Sequence, residues 1–408
     1  MNDSEYGCKA TFLKMKISRS ILMELAISFL VIVIFLFDLS FVLYFSDSVQ
    51  SRYPIYICGF IVLFYLIART RGFLAGNSSN IALAAGLFVV LTLLALISGL
   101  RFSEKLGGGQ FGAKFFAALI VPVFFAVLGY YLARARGKYF YLGSFVAVVV
   151  FVGGALYSNF ESLSKGDVFR PAYFRSEDLY LLDMHFFADY FTCLALIFIG
   201  QARKRCYLFL TLALIGALLL GSRTPLVFGV VSLLAARYYL SLLKRRGGRL
   251  LLAFMAVGIV IFAFISLNHF SLESGSVLER VFSAQTYGES QEGRQQILER
   301  SIPYFDQCLI LGCFPFEEIF LGEKGEYVHN WISFFASFGF FAGIYFLIVY
   351  FVAVFKTFKS FESLSILLAV LIFLTMNIVF SRSYIWSFWG MLLIYILASR
   401  PAVSRELA

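Results

Sequence analysis

His329-Asn330 ends a polar stretch at the threshold of an apolar run, 331–355, in a chain with 3 histidines among 408 residues. Asn330 is an N-cap residue: its side-chain oxygen can accept a hydrogen bond from one of the first helical N–H groups. His329 then precedes a helix start, where unpaired N–H groups and the positive dipole end resist added positive charge. An imidazole held neutral can accept a proton near neutral pH, which general-base chemistry requires. The alternative for the pair is capping alone.

The second reactive type is arginine. In 293–302, GRQQILERSI, a 100° wheel puts Ile297, Leu298, Ile302 and Phe305 on one face with Arg294 near its middle, whereas Arg300 falls on the opposite face near Gln296 and Glu299. A guanidinium aimed at a core or membrane surface needs an anionic partner, because an unpaired buried charge costs several kcal/mol. The competing roles for Arg294 are pairing with Glu289 or snorkelling to water. Arg223, in GSRTPLVFG, and Arg382, in VFSRSYIW, each stand in a short turn between two apolar runs, so their head groups sit at a membrane boundary. Pro225 suits a first helical turn, where its missing N–H leaves nothing unpaired. Arg170 and Arg175 occupy another loop, VFRPAYFR. Singly, each is an ordinary interfacial arginine. Converging on one side, they favour an anion, and an amphiphile bearing phosphate fits because the planar guanidinium grips phosphate oxygens in pairs. His185 and Asp189 share a helix face and form either an intramembrane proton relay or a pair that water reaches from the helix end. His269 has no accompanying pattern.

These residues hang on membrane-spanning helices. Apolar residues make up 61% and charged residues 14% of the chain, with mean hydropathy +0.85, far from soluble globular composition. Apolar stretches long enough to cross the hydrocarbon as helices recur about twelve times, so the class is an all-α polytopic membrane protein, not a barrel. They lie at 20–46, 53–68, 80–100, 113–133, 139–157, 180–200, 206–221, 224–243, 250–268, 331–355, 363–380 and 383–399. The first follows a basic head, is too long for a signal-peptide core and reads as an uncleaved anchor. The chain divides into an N-terminal transmembrane bundle, 1–268, a loop with an amphipathic helix, 269–330, and C-terminal transmembrane helices, 331–408. That loop is far longer than ordinary connections, yet too apolar for a solvated tail.

Lysines and arginines fix the expected orientation. With the N-terminus inside, alternate loops carry Arg134, Arg136 and Lys138, then Arg203, Lys204 and Arg205, then Lys244, Arg245, Arg246 and Arg249, then Lys356 and Lys359, with few acids. Both termini are expected in the cytoplasm and the 269–330 loop outside. The net charge of +10 thus reflects sidedness and gives no reason to expect nucleic acid. Cys308 and Cys313 share the outer loop, where an oxidising compartment permits a disulfide. Five residues apart on a continuous helix, they would be too distant to bridge.

GSRTPLVFGVV (221–231), GRQQILERSI (293–302), ILGCFPF (310–316) and VHNWISFFASFGFFAG (328–343), in that order around one long outer loop, resemble the O-antigen ligase and polymerase superfamily of bacterial surface-polysaccharide assembly, the Wzy and WaaL proteins. The resemblance covers roughly 200–399, together with the RPAYFR loop. It implies a GT-C-like membrane glycosyltransferase of the bacterial inner membrane that needs no metal or other cofactor. Such an enzyme acts at the periplasmic face on glycans carried by undecaprenyl diphosphate. By this resemblance His329 is the catalytic base, and Arg223 and Arg294 hold the diphosphate. Arg170, Arg175, Arg382 and Asn330 are further contacts to glycan or phosphate.

The spacing from Asn330 to Gly339 looks more like the polymerases. Ligases, which transfer glycan to lipid A core, commonly have one residue more and an acid where this chain has Phe338. Protein O-oligosaccharyltransferase is a further member activity. The implied partners are lipid-linked donor and acceptor glycans, the bilayer and a chain-length regulator, with no nucleic acid. The rival from another class is a lipid-linked oligosaccharide flippase, but carriers place charged sites near the midplane beside broken helices. This chain concentrates arginines at one boundary.

Overall fold

The computed structural model describes residues 25–29, 32–33, 61, 78–105, 108–134, 138–164, 180–200, 205–219, 222–244, 295–321, 331–359, 364–381 and 386–399. About 91% of what is described is helical and no strand occurs there, which decides for an all-α bundle. The helices are α1 (Ser78–Arg101), α2 (Gly108–Phe115), α3 (Val121–Arg134), α4 (Lys138–Ser164), α5 (Tyr180–Gly200), α6 (Cys206–Leu219), α7 (Arg223–Lys244), the short α8 (Phe305–Cys308) and α9 (Phe316–Phe320), α10 (Ile332–Lys359), α11 (Leu364–Met376) and α12 (Phe388–Ala398). Every apolar run expected from 80 to 243 and from 331 to 399 overlaps at least one of them, the run at 113–133 being divided between α2, a π segment and α3. The runs at 20–46, 53–68 and 250–268 lie outside the described residues, apart from helical residues at 25–29, 32–33 and 61. Among the described helices, Ser79–Arg101, Phe116–Arg134 and Ile332–Phe358 are long and apolar enough to cross a membrane, and shorter apolar helices accompany them. The chain is a helical membrane protein.

Among the described residues, two π-helical segments adjust the bundle. Phe116–Ile120 joins α2 to α3, with the Val121 N–H donating to the Phe116 carbonyl. The wider turn comes immediately before Pro122, whose ring and missing N–H disturb a regular helix. Asn377–Ser381 ends α11.

The core is organised around α12. All its residues are buried, and its 11 residues rise only about 16 Å, too little to span a bilayer. It packs most extensively on α3. A Cβ on Gly129 would stand 2.2 Å from the Met391 carbonyl oxygen, and one on Gly390 would stand 2.7 Å from that of Pro122, so glycine on both helices permits the approach. Trp389 stacks on Phe88 of α1 at 4.9 Å and meets Phe334 and Phe346 of α10 edge-on. At the far end Lys356 donates to the carbonyl of Leu397, placing a cation at the negative end of α12. This end gathers the termini of α3, α10 and α12.

The apolar run at 331–355 is expected to be one uninterrupted span, and here the structure differs. Gly339 takes φ 81° and ψ 174°, which breaks α10. The chain folds back so far that the Phe334 ring stacks on Phe346 at 4.1 Å, although these residues would lie about 18 Å apart along an unbroken helix. A side chain on Gly343 would meet the Phe335 ring. The N-terminal piece is thus a half-helix, 332–338, laid against the longer piece, 340–359.

Candidate functional site

The half-helix is held by a small cap. Residues 295–301 are helical, Ile302–Tyr304 forms a 3₁₀ turn, and α8, a turn at 309–312 and α9 follow. Cys308, Cys313, Phe316 and Ile319 bury themselves with Ala336 of α10, and Ile297, Leu298, Tyr304, Phe305, Ile332, Phe102 and Phe111 pack around them. The cap is tied to α2 by an ion pair, Lys114 Nζ to Glu318 Oε1 at 2.5 Å. It also meets the end of α1: Phe102 lies edge-on to Phe320, and Lys105 stands 5.3 Å over the Phe320 ring.

The amphipathic reading of 293–302 holds at Ile297 and Leu298, which face the cap core, and at Arg300, which is exposed. It fails at Ile302, which is 55% exposed. The 3₁₀ turn containing Pro303 advances about 120° per residue rather than 100°, so the apolar face loses phase there. The spacing argument against a Cys308–Cys313 bridge also fails. α8 ends at Cys308, and Gly312 at φ 74° turns the chain back, so the two Cα atoms lie 5.2 Å apart and the sulfurs are bonded.

The disulfide loop props the break in α10. The Phe340 N–H donates to the Leu309 carbonyl at 2.7 Å and the Cys313 N–H to the Ala336 carbonyl at 3.1 Å. These bonds occupy backbone groups that the break would otherwise strand. Both glycines are required by position as well as by φ: a Cβ on Gly339 would stand 2.2 Å from the Ile310 oxygen, and one on Gly312 would stand 2.3 Å from the Ser337 oxygen. Sequence reasoning missed this coupling. Its trace is two glycines set among bulky apolar residues in ILGCFPF and SFGFF.

A second group of polar residues lies where α5, α7, α11 and α12 meet. Arg223 is the first residue of α7; Ser222 before it is buried and closes α6 by donating its N–H to the Ala217 carbonyl at 2.8 Å. α7 packs along α11 and touches the π segment Asn377–Ser381, immediately after which Arg382 stands in the sequence. Asn377 is fully buried, and its amide donates to the Phe373 carbonyl at 2.9 Å. On α5, Asp189 is 2% exposed and its Oδ2 accepts the Trp386 indole N–H at 2.9 Å. The reading in which water bathes the His185/Asp189 face is therefore corrected at Asp189. Trp386 was not anticipated, although a carboxylate within a membrane helix demands a donor.

Of the expected site residues, Arg223 is described in its backbone, at the head of α7. Arg170, Arg175, Arg294, His329, Asn330 and Arg382 lie outside the described residues, as does the side chain of His185. The described chain nevertheless links their neighbourhoods. Ile297, three residues after Arg294, and Ile332, three after His329, belong to the same cap cluster. The start of α7 with Arg223 and the segment preceding Arg382 belong to two helices packed on each other. No family model matches the chain, and no curated protein matches it.

Proposed function

We propose that this protein is a membrane glycosyltransferase of the O-antigen polymerase type. It joins undecaprenyl-diphosphate-linked repeat units at the periplasmic face of a bacterial inner membrane, with both termini in the cytoplasm. The observation that carries the reading is the buried cap cluster of Cys308, Cys313, Phe316, Ile319 and Ala336, against which both Ile297 and Ile332 pack. It ties the segment following Arg294 to the half-helix following His329, as a shared diphosphate and base site requires. The Cys308–Cys313 disulfide supports an oxidising compartment for the cap. Its position at the opposite end of the bundle from Lys356 and Arg134 agrees with basic residues being kept inside.

In this mechanism an acceptor sugar hydroxyl attacks the anomeric carbon of a lipid-linked glycan. The new glycosidic C–O bond forms as the C–O bond to the diphosphate breaks. Undecaprenyl diphosphate leaves with the bonding electron pair, and the hydroxyl proton passes to the neutral imidazole of His329. Arg223 and Arg294 stabilise the negative charge gathering on the leaving diphosphate, an electrostatic contribution of the kind that dominates many enzymatic accelerations. Arg170, Arg175, Arg382 and Asn330 supply further contacts to phosphate or glycan, and a chain-length regulator is a further partner.

Reconstitution of the purified chain in vesicles with an undecaprenyl-diphosphate repeat unit tests the reading. A ladder of products from that substrate alone is expected. A single transfer that appears only when lipid A core is added indicates a ligase. Unaltered glycan crossing the bilayer indicates a flippase.

A further inference from the structure

We propose that the tip of the disulfide loop, formed by Leu309, Ile310 and Leu311, is seated in membrane hydrocarbon beside α10 rather than in the aqueous space expected of an outer loop. The three side chains are consecutive and apolar, and they are 57%, 63% and 42% exposed. In water such a run is a liability; on a membrane protein it marks a surface meant for lipid.

The level of the tip is fixed by its bonds to α10. The Leu309 carbonyl takes the N–H of Phe340, and the Ile310 carbonyl lies against Gly339. The longer piece of α10, 340–359, rises about 30 Å, the thickness of the hydrocarbon core. Along it an exposed apolar stripe runs through Phe341, Ile344, Ile348, Phe351, Phe355 and Phe358 at helical spacing. That stripe is the lipid-facing side of a span. The loop tip stands level with the upper end of that piece, because the Leu309 carbonyl is bonded to its first residue, Phe340.

Irregular backbone is tolerated at membrane depth only where its polar groups are bonded within the protein. This loop meets that condition at its turn: the Gly312 N–H donates to the Cys308 carbonyl at 2.9 Å, the Cys313 N–H to Ala336, and the Leu309 carbonyl accepts from Phe340. Both cysteines are buried and bonded to each other, so no thiol faces the lipid. No charged residue occurs between Asp306 and Glu317. The seating depends on the span and the cap alone and not on glycosyl transfer.

The test is fluorescence quenching of the full chain in phosphatidylcholine vesicles. Emission from an Ile310→Trp variant is read as its difference from the unaltered chain, to remove Trp331, Trp386 and Trp389. Phe355→Trp on the stripe is the lipid reference, and Gln307→Trp on the exposed side of the cap is the aqueous reference. The expected result is that the residue-310 signal is lost to phosphatidylcholine brominated on its acyl chains, as at 355, and spared by acrylamide in the water. Loss to acrylamide with bromolipid insensitivity, as at 307, overturns the proposal. So does protection from both quenchers, which would point to a protein covering the tip. Leu311→Trp gives the same reading if the substitution at 310 prevents folding.

Discussion

Trp386 and Asp189, from opposite halves of the chain, share a buried hydrogen bond of 2.9 Å between indole N–H and carboxylate. The bond joins α5 to the lead-in of α12. Trp386 is also the first described residue after 382–385, and the last described residues before that stretch form the π segment packed on α7. The contact therefore fixes the chain four residues after Arg382 in sequence. Trp386→Phe keeps an aromatic ring but removes the donor, leaving a buried carboxylate with one bond fewer. The expected cost is about 1–3 kcal/mol, read as lowered thermal stability in detergent. Asp189→Asn, whose amide oxygen still accepts from the indole, is expected to cost less than Asp189→Ala. Equal losses from the two neutral variants would show that the charge, and not the acceptor, is what α5 contributes.

The glycines at the break in α10 divide sharply from glycines elsewhere. Gly339→Ala and Gly312→Ala each force a Cβ into a left-handed backbone and against a carbonyl oxygen, 2.2 and 2.3 Å away. The positive-φ backbone alone costs an alanine roughly 1–3 kcal/mol, and the collision with backbone adds to it. Gly112→Ala on α2 meets nothing within 4 Å, and alanine favours helix by about 1 kcal/mol over glycine. Folded yield and thermal midpoint are expected to fall for the first two substitutions and to hold or rise for the third.

How far these features are legible in sequence depends on the range of the force that makes them. Helix positions are legible because long apolar stretches must satisfy their backbone locally in lipid, so Ser78–Arg101 or Leu364–Met376 follow from composition alone. The face of the helix at 295–301 is legible for the same reason, until the 3₁₀ turn at Pro303 changes the angle per residue. The break at Gly339 is not legible, since glycine is common in membrane helices. Whether the helix continues there depends on hydrogen bonds from Leu309 and Cys313, contributed by a separate stretch of chain. The disulfide is hidden by the same gap, because spacing along a helix excludes it and only the end of α8 at Cys308 allows it. Asp189 announces itself as an ionisable group within an apolar run, but its partner lies across the bundle and has no local signature.

The proposed chemistry separates two arginines that differ by only six positions. Arg300 is exposed, and an exposed charge contributes within about 1 kcal/mol, so Arg300→Ala is expected to leave polymer lengthening nearly intact. Arg294→Ala is expected to abolish it while membrane insertion stays normal. His329→Ala is expected to stop transfer and to spare binding of the lipid-linked donor. Long surface chains in a deletion strain complemented with His329→Ala would remove that residue from the base role. Equal loss from both arginine substitutions would remove the helical-face argument for Arg294.

Lys114 and Glu318 offer a test of how the cap is held to the bundle. Their ion pair spans 2.5 Å, with the lysine side chain 26% and the glutamate side chain 9% exposed. Such a pair lies between the surface case, worth little, and the buried case, where removing one partner strands a charge. Lys114→Met keeps an apolar stem beside Phe111 and Phe115 but leaves the Glu318 carboxylate mostly out of water. It is expected to be the most damaging member of a double-mutant cycle, by about 2–4 kcal/mol. Glu318→Gln leaves a lysine able to reach solvent and is expected to cost less. Combined with Lys114→Met, it should recover much of the loss, since a neutral amide tolerates burial better than an unpaired carboxylate. Limited proteolysis between 295 and 321 reads the outcome directly. Lys114→Met is expected to expose the cap to cleavage, and the double variant to protect it again. If both single variants resist cleavage as well as the parent, the apolar cluster around Cys308 and Phe316 holds the cap without help from the ion pair.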